Sequence, residues 1–373
     1  MTGKKRILFL VDDFSKGGTA RVVETIIKGL DKEYIPILAC LDASGKLGAD
    51  LQQRSVTVFC LDRKPGWDYA LIFRLARIMK DQKIALLHTH QYTAYFYGSL
   101  AAILAGFVPI IFTEHGRHFP DVRKPLQVLT NKILLPLTAA VTAVSEAVKV
   151  SLINYEGIPA KRIEILINGI DPQPYEKTFD TLKLRQELSV EPSCFLLGMV
   201  ARLGEEKDHG TLLRAMVLIS RKIPAVRLLI IGDGPKKDEL KKICLEIGIE
   251  HLVIFTGNRS DIPCLLAALD LSILSSFYEG TSITLLEAMF SGKATVVSRV
   301  GGNPYIVQDG VTGLLFNPGD EHDLAQKIML LLENEPTRKR MGEEGRKLAY
   351  RLYTQSRMVR EYERLYKSII DKK

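Results

Sequence analysis

The chain has 373 residues, 46% of them hydrophobic and 25% charged, an ordinary globular composition at a length where one core normally gives way to two domains. No run approaches the roughly 18 apolar residues of a bilayer-spanning helix, and the apolar segment 7–11 is too short for a signal-peptide core before Asp12 and Asp13 stop it, so a cytoplasmic protein is expected. The net charge of +8 is uneven: residues 1–170 hold 22 Lys+Arg against 15 Asp+Glu, residues 171–373 hold 29 against 28, which suits either an anionic partner for the first half or a solvated basic face.

Taken in order, aliphatic and β-branched runs predict strands at 6–11, 35–41, 56–61, 85–88, 110–113, 140–144 and 163–167. Amphipathic helices such as 21–30 and 69–81 lie between them. Turn formers then cluster at Asn168-Gly169-Ile170-Asp171-Pro172-Gln173-Pro174. The alternation restarts, with strands at 195–200, 226–231, 253–256, 271–274 and 294–298 and helices at 211–222, 237–247 and 282–291. From Pro336 the chain reads as helix to its end, with Met358, Tyr362, Leu365 and Tyr366 on one stripe. Strand–helix alternation of this kind predicts two parallel sheets wrapped by helices, facing each other across a cleft. In such sheets ligands sit beyond the carboxyl ends of the strands. The cysteines (Cys40, Cys60, Cys194, Cys244, Cys264) form no C-x-x-C pair and read as buried thiols rather than a metal or disulfide framework.

Several loops at those strand ends carry candidate chemistry. In Ser276–Met289 two carboxylates, Glu279 and Glu287, stand eight positions apart. Gly280, Thr281, Ser282 and Ile283 between them open a helix whose backbone N–H groups suit a phosphate or a developing oxyanion. Glu287, flanked by Leu285, Leu286, Ala288 and Met289, is expected in an apolar setting, where it needs donors: ribose hydroxyls or neighbouring backbone. Arg202 and Lys207 leave the strand at 195–200 five positions apart. They suit a diphosphate, or else a surface pairing with Glu205 and Glu206. Without a D-x-D or a cysteine cluster, these two cations are expected to neutralise a leaving group with no metal present. Gly17-Gly18-Thr19 after the first strand admits close approach of a phosphate or sugar, or is a plain turn. His115, within Thr113-Glu114-His115-Gly116-Arg117-His118, is placed to meet a sugar hydroxyl. His88 and His90 end the preceding strand in the same way, and for each a structural role competes. Asn258 and Arg259 suit the lining of a nucleobase pocket; the turns at Gly232-Asp233-Gly234-Pro235 and Gly301-Gly302-Asn303-Pro304 follow strands.

Together these residues resemble glycosyltransferase family 4, the retaining enzymes of the GT-B fold, over nearly the whole chain. The E-x₇-E of Glu279 and Glu287 carries the resemblance most specifically. It extends through Ala288-Met289-Phe290-Ser291-Gly292, Val300-Gly301-Gly302, 309–315 and Pro318-Gly319-Asp320, with Arg202…Lys207 and 168–171. It implies an N-terminal acceptor domain at 1–170, a nucleotide-sugar domain at 171–352 and a terminal helix at 353–373 crossing back to the first. It also implies a hexosyltransferase without cofactor: Glu287 on the ribose, Glu279 and His115 on the donor sugar, and Arg202, Lys207 and the Gly17-Gly18 backbone on the diphosphate. The chain departs from the family at Tyr305, Ala201 and Lys293-Ala294-Thr295. The segments 89–95 and 114–118 look like bacterial members that build exported polysaccharides on lipid-linked acceptors. The apolar, basic stretch 123–144 then suggests peripheral contact with an anionic membrane, or else buried core. Rival readings are a GT-B epimerase or phosphorylase, an oxidoreductase, against which the missing G-x-G-x-x-G speaks, and a binding protein. No aromatic-rich basic motif points to nucleic acid.

Overall fold

The computed structural model describes residues 4–15, 17–116 and 122–372, which form two compact units. Unit 1 comprises the chain up to Gly169 together with Gln355–Lys373, and unit 2 is Ile170–Thr354.

In unit 1 the elements are β1 (Lys5–Val11), α1 (Gly18–Gly29), β2 (Tyr34–Cys40), α2 (Gly45–Gln53), β3 (Thr57–Cys60), α3 (Tyr69–Asp81) and β4 (Leu86–His90). They continue with α4 (Tyr92–Leu104), β5 (Ile110–Glu114), α5 (Pro125–Leu134), β6 (Thr138–Ala143), α6 (Glu146–Glu156) and β7 (Ile163–Ile165). The strands form one parallel sheet in the order β3-β2-β1-β4-β5-β6-β7. The interior strand β1 reads as an unbroken apolar run because both faces are covered, and Ile7, Leu8, Phe9 and Leu10 are wholly buried. One face packs Leu8, Leu10 and Leu87 against α3, α4 and α6. Gly98 of α4 lies so near that face that a side chain there would meet Leu10 at 2.9 Å.

Unit 2 runs α7 (Thr181–Glu187), β8 (Phe195–Val200), α8 (His209–Lys222), β9 (Val226–Ile231), α9 (Lys237–Glu246), β10 (Val253–Gly257), α10 (Ile262–Ala268) and β11 (Leu271–Leu274). It ends with α11 (Ile283–Phe290), β12 (Thr295–Ser298), α12 (Asn303–Ile306), β13 (Leu314–Phe316), α13 (Glu321–Glu333) and α14 (Glu335–Leu352). Its sheet is parallel in the order β10-β9-β8-β11-β12-β13. Sequence periodicity missed β13, whose three residues are too few to show a pattern.

The last helix, α15 (Gln355–Ile370), belongs to unit 1. It packs on α1 at Gly29, where an added Cβ would come within 2.7 Å of Val359. Gln355 donates to the Thr25 carbonyl at 2.7 Å, and Tyr362 and Tyr366 are fully buried. Among the cysteines, Cys60 corrects the expectation of burial: it is exposed at the end of an edge strand.

Candidate functional site

In both sheets the strand order reverses at the centre, between β1 and β4 and between β8 and β11. Connections leave such a point in opposite directions and open a crevice at the strands' carboxyl ends. Several of the residues singled out in the sequence lie at these two points.

In unit 2, β11 runs into Ser275 and Ser276 and then a loop. Lys207 donates to Glu279 Oε1 at 2.7 Å, and the Ser276 hydroxyl donates to the same oxygen at 2.6 Å. Glu279 is 6% exposed, and these donors take the place of the water it has lost. Its backbone is held as well. The Gly302 N–H donates to the Glu279 carbonyl at 3.0 Å, and Gly301 (φ 49°) lies where a Cβ would fall 1.9 Å from that oxygen. The Gly-Gly turn therefore exists to let two loops touch. Gly232 does the same for β8, since a Cβ there would lie 2.0 Å from the Ala201 carbonyl.

Lys207 lies in a short turn that ends at Asp208, which has φ 46° and caps α8 by accepting from the Thr211 N–H. Arg202 is exposed and makes no side-chain pairing among the described residues, so it is available to an anion. The surface pairing with Glu205 and Glu206 does not form; Lys207 has turned inward to Glu279.

Gly280 and the buried Thr281 lead into Ser282, whose hydroxyl caps α11 by accepting from the Leu285 N–H at 3.3 Å. Ile283 is the first residue of the helix. Glu287 corrects the sequence reading. Its neighbours Leu285, Leu286, Ala288 and Met289 are buried, but Glu287 sits half-exposed on the other face of α11, where Tyr175 donates to it at 2.9 Å. Successive helical residues lie 100° apart, so flanking leucines do not make an apolar setting. Tyr175, from a turn just past the 168–174 break, carried no sequence signal. Asn258 and Arg259 follow β10 on the surface, and Arg259 is held bidentately by Asp261 at 2.7 and 2.5 Å. Of the departures from the family pattern, Lys293 is explained: its ammonium is buried, donates to the Ala267 and Leu269 carbonyls at 2.7 and 2.8 Å, and caps α10.

In unit 1, Gly17 has φ 100° and stands before α1, with Gly18 as its first residue. A Cβ at Gly17 would meet nothing, so backbone conformation requires the glycine, not contact. His88 and His90 both lie within β4, on the face covered by α15. His88 bridges the Tyr366 and Thr113 hydroxyls, each at 2.7 Å, and Thr113 meets Thr142 at 2.6 Å. His90 Nδ1 and His115 Nε2 share one proton at 2.8 Å. Burial pushes all three imidazoles below their ordinary range, His115 to about 3, so the chain of rings is neutral at physiological pH. His90 Nε2 and His115 Nδ1 are shielded from water without a partner. Arg117 and His118 lie outside the described residues.

Beside these rings is a cavity of about 340 Å³ lined by Asp12, Gln91, Thr93, Glu114, Lys124 and Glu156, among others. Asp12 carried no sequence signal beyond ending an apolar run. Burial raises its carboxyl to about 6; the Thr93 hydroxyl, Arg63 and the Ala94 amide only partly counter this, and Asp42 adds to it. Among the described residues no three of His, Cys, Asp and Glu converge to hold a metal ion, and no helix is long and apolar enough to cross a membrane.

The stretch 123–144 divides. Part of it is β6, with Val141 fully buried, whereas α5 leaves Leu126, Leu129 and Ile133 64%, 56% and 65% exposed on one stripe beside Arg123, Lys124 and Lys132.

Comparison with known proteins converges on one group. The family model described as "Glycosyl transferases group 1" matches residues 180–348, and that described as "Glycosyltransferase Family 4" matches residues 16–174. The chain is 29% identical to N-acetyl-alpha-D-glucosaminyl L-malate synthase of Bacillus anthracis, over 85% of this chain and 83% of that protein. It is 26% identical to the UDP-Gal:alpha-D-GlcNAc-diphosphoundecaprenol alpha-1,3-galactosyltransferase of Escherichia coli, over 68% and 67% respectively. In structure it resembles Anabaena HepE, solved in complex with UDP-glucose, with a TM-score of 0.85 at 25% identity over 97% of this chain and 99% of that one.

Proposed function

Because the chain belongs to glycosyltransferase family 4 and has the GT-B fold, we propose that it moves a sugar from a nucleoside-diphosphate donor on unit 2 to a hydroxyl acceptor on unit 1, with retention and without a metal. The observation that carries the reading is the cluster of Lys207, Glu279 and Ser276 beside the unpaired Arg202, at the point where the unit 2 sheet reverses. A site that holds one buried carboxylate between two donors, with a free guanidinium nearby, suits a ligand with hydroxyls at one end and a diphosphate at the other.

The roles follow from the chemistry. On unit 2, Arg202 and Lys207 take the diphosphate with the N–H groups of Gly280, Thr281, Ser282 and Ile283, Glu279 hydrogen-bonds the donor sugar, Glu287 accepts from ribose hydroxyls, and Asn258 and Arg259 border the base. On unit 1, the backbone at Gly17-Gly18 suits a phosphate and His115 a sugar hydroxyl. The bond from the anomeric carbon to the diphosphate oxygen breaks as that to the acceptor oxygen forms on the same face. The departing diphosphate takes the acceptor's proton. The protein's part is positioning and charge stabilisation.

A UDP or GDP donor fits this site, and UDP is favoured by the HepE complex and by the name of the Escherichia coli relative. That name also favours a lipid-linked acceptor. The exposed Leu126–Leu129–Ile133 stripe, bordered by cations, is suited to an anionic membrane face, with hydrocarbon contact and charge attraction acting together.

The test is thermal unfolding with UDP, GDP and ADP, with and without EDTA. A nucleotide at a hundred times its dissociation constant stabilises by about 2.7 kcal/mol. One nucleotide is expected to raise the midpoint, EDTA to leave that rise unchanged, and Glu287→Ala to reduce it. No shift with any nucleotide would remove the donor-site assignment, and an inverted anomer in the product would remove retention.

A further inference from the structure

Two of the five cysteines lie side by side. β2 and β3 run parallel at one edge of the unit 1 sheet, and their register sets Cys40 opposite Cys60. Ile37 and Ala39 of β2, with Leu41 and Leu61 just past the two strands, face the core shared with α3 and α4. Successive strand residues point to opposite faces, so Cys40 and Cys60 both turn to the other side of the sheet. The Leu61 N–H donates to the Cys40 carbonyl at 2.9 Å, which keeps the two strand ends in step. Neighbouring strands lie about 4.7–4.9 Å apart, inside the range of about 4.4–6.8 Å between α-carbons that a disulfide spans. β3 is short and has no strand on its outer side, so a small approach of its last residue to β2 disturbs no further ladder.

The two thiols differ in access. Cys60 is exposed and donates its S–H to the Asp42 carbonyl at 3.2 Å. Cys40 is wholly buried; burial, with Cys60 and Asp13 adding, pushes its thiol up. A dissolved oxidant therefore meets Cys60 first, and Cys40 is the thiol within reach of what forms there. The pair also stands where three loops meet. The Asp42 N–H donates to the Asp12 carbonyl and the Arg63 N–H to the Leu41 carbonyl, each at 2.8 Å. The Arg63 guanidinium holds Asp42 bidentately at 2.9 and 3.0 Å. A bond between the two sulfurs would tie covalently the strand ends that these hydrogen bonds already hold together.

We propose that Cys40 and Cys60 are a redox-active pair, closed by peroxide into a reversible disulfide that ties β2 to β3 at their carboxyl ends. The Cys60 sulfur attacks one peroxide oxygen, the O–O bond breaks, and the departing hydroxide leaves as water with the thiol's proton. The Cys40 sulfur then attacks the sulfenic acid so formed. The S–O bond breaks, and hydroxide leaves with the Cys40 proton as a second water. Two thiols lose two electrons in all, and the peroxide is reduced to two waters. A dithiol reductant reverses the bond by exchange.

The test uses the full chain, reduced, freed of reductant and treated with hydrogen peroxide at a level that spares the half-buried Cys264. The remaining thiols are alkylated in denaturant and counted by intact mass. Three of the five cysteines are expected to stay open to alkylation, and dithiothreitol to restore all five. Trypsin cuts after Lys46 and Arg54, between the two cysteines, so the oxidised digest is expected to contain residues 33–46 joined to residues 55–63. Cys40→Ser is expected to leave Cys60 as a sulfenic acid that dimedone captures, and Cys60→Ser to leave Cys40 a free thiol. Either variant suffices should the other fail to fold. Five thiols surviving in the parent would overturn the proposal. So would Cys60 passing to a sulfinic acid, or bonding to a second chain, while Cys40 stays open to alkylation. Oxidation of Cys40 as fast in Cys60→Ser as in the parent would overturn it too.

Discussion

The two units build their sites on the same plan, beyond the reversal point of a parallel sheet, but leave them in opposite electrostatic conditions. In unit 2 the buried carboxylate is already answered: Glu279 has Lys207 and Ser276, and Glu287 has Tyr175. In unit 1 the groups at the reversal point include three imidazoles held neutral by burial, with a nitrogen on each of His90 and His115 unpartnered; unit 2 has the same kind of orphan at Asp208 and His209. The difference is one of fixed charge: unit 2 holds Lys207, paired, and Arg202, exposed, ready for a charged donor.

The largest effect that sharpens this contrast is at Lys207. Lys207→Ala removes the charge from beside Glu279 and from the diphosphate together, so kcat/KM for transfer is expected to fall by about 10²–10³-fold. The unfolding midpoint is expected to drop as well, because Glu279 stays buried without its cation. A variant that keeps its activity would show that the pair is structural alone. Next comes Glu287→Ala. Loss of a hydrogen bond to a charged group weakens nucleotide binding by roughly 10–150-fold, with little change in stability because the residue is half-exposed. Calorimetric titration of UDP reads the affinity and thermal unfolding the stability, and equal losses in the two would point to a packing role.

How far each site was legible from sequence follows the same division. Unit 2 announced itself because its chemistry is carried by residue types at short, fixed separations along one loop and one helix: Glu279, Glu287, Arg202, Lys207. Strand–helix alternation likewise gave the two parallel sheets, since apolar runs of four to seven residues register at once. What stayed hidden depends on distance in space. Tyr175 and Glu287 are 112 positions apart, and Tyr366 and His88 are 278 apart. Asp12 reads in sequence only as the end of a strand; its altered carboxyl is created by residues from three other places in the chain. Even the facing of Glu287 was misread, since neighbours in sequence are not neighbours on a helix.

A third test addresses the outer surface of unit 1. Replacing Leu129 and Ile133 on α5 with Glu removes two exposed apolar side chains and introduces charge of the wrong sign. Burying one such chain is worth about 1.5–3 kcal/mol, so sedimentation with anionic vesicles at low salt is expected to fall at least about tenfold, with no effect on UDP affinity. Equal sedimentation of parent and variant would leave α5 without a membrane role.

The smallest expected effect is in acid, and it discriminates between the units most directly. A histidine held neutral by burial has a folded pKa below its unfolded value near 6.5. Its stabilising contribution is complete above that pH and is lost as pH falls toward the folded value. Unit 1 contains three such residues, His88, His90 and His115, whereas unit 2 contains His209, lowered by burial to about 4. Each lowers the stability of its unit as pH falls from 6.5 to 5.5, so the loss is greater in unit 1 than in unit 2. Asp12 acts with the opposite sign. Its carboxyl is raised to about 6, so the folded state takes up a proton first and regains part of the loss over the same interval. Asp208, also raised by burial, opposes the loss in unit 2. Unit 1 is therefore expected to lose more stability than unit 2, and amide hydrogen exchange at pH 6.5 and 5.5 reads the two separately. Asp12→Asn is expected to steepen the acid loss of unit 1 and, by removing a carboxylate that is costly to ionise, to raise its stability at pH 7. If both units weakened equally, or Asp12→Asn left the pH profile of unit 1 unchanged, the contrast between the two units would fail.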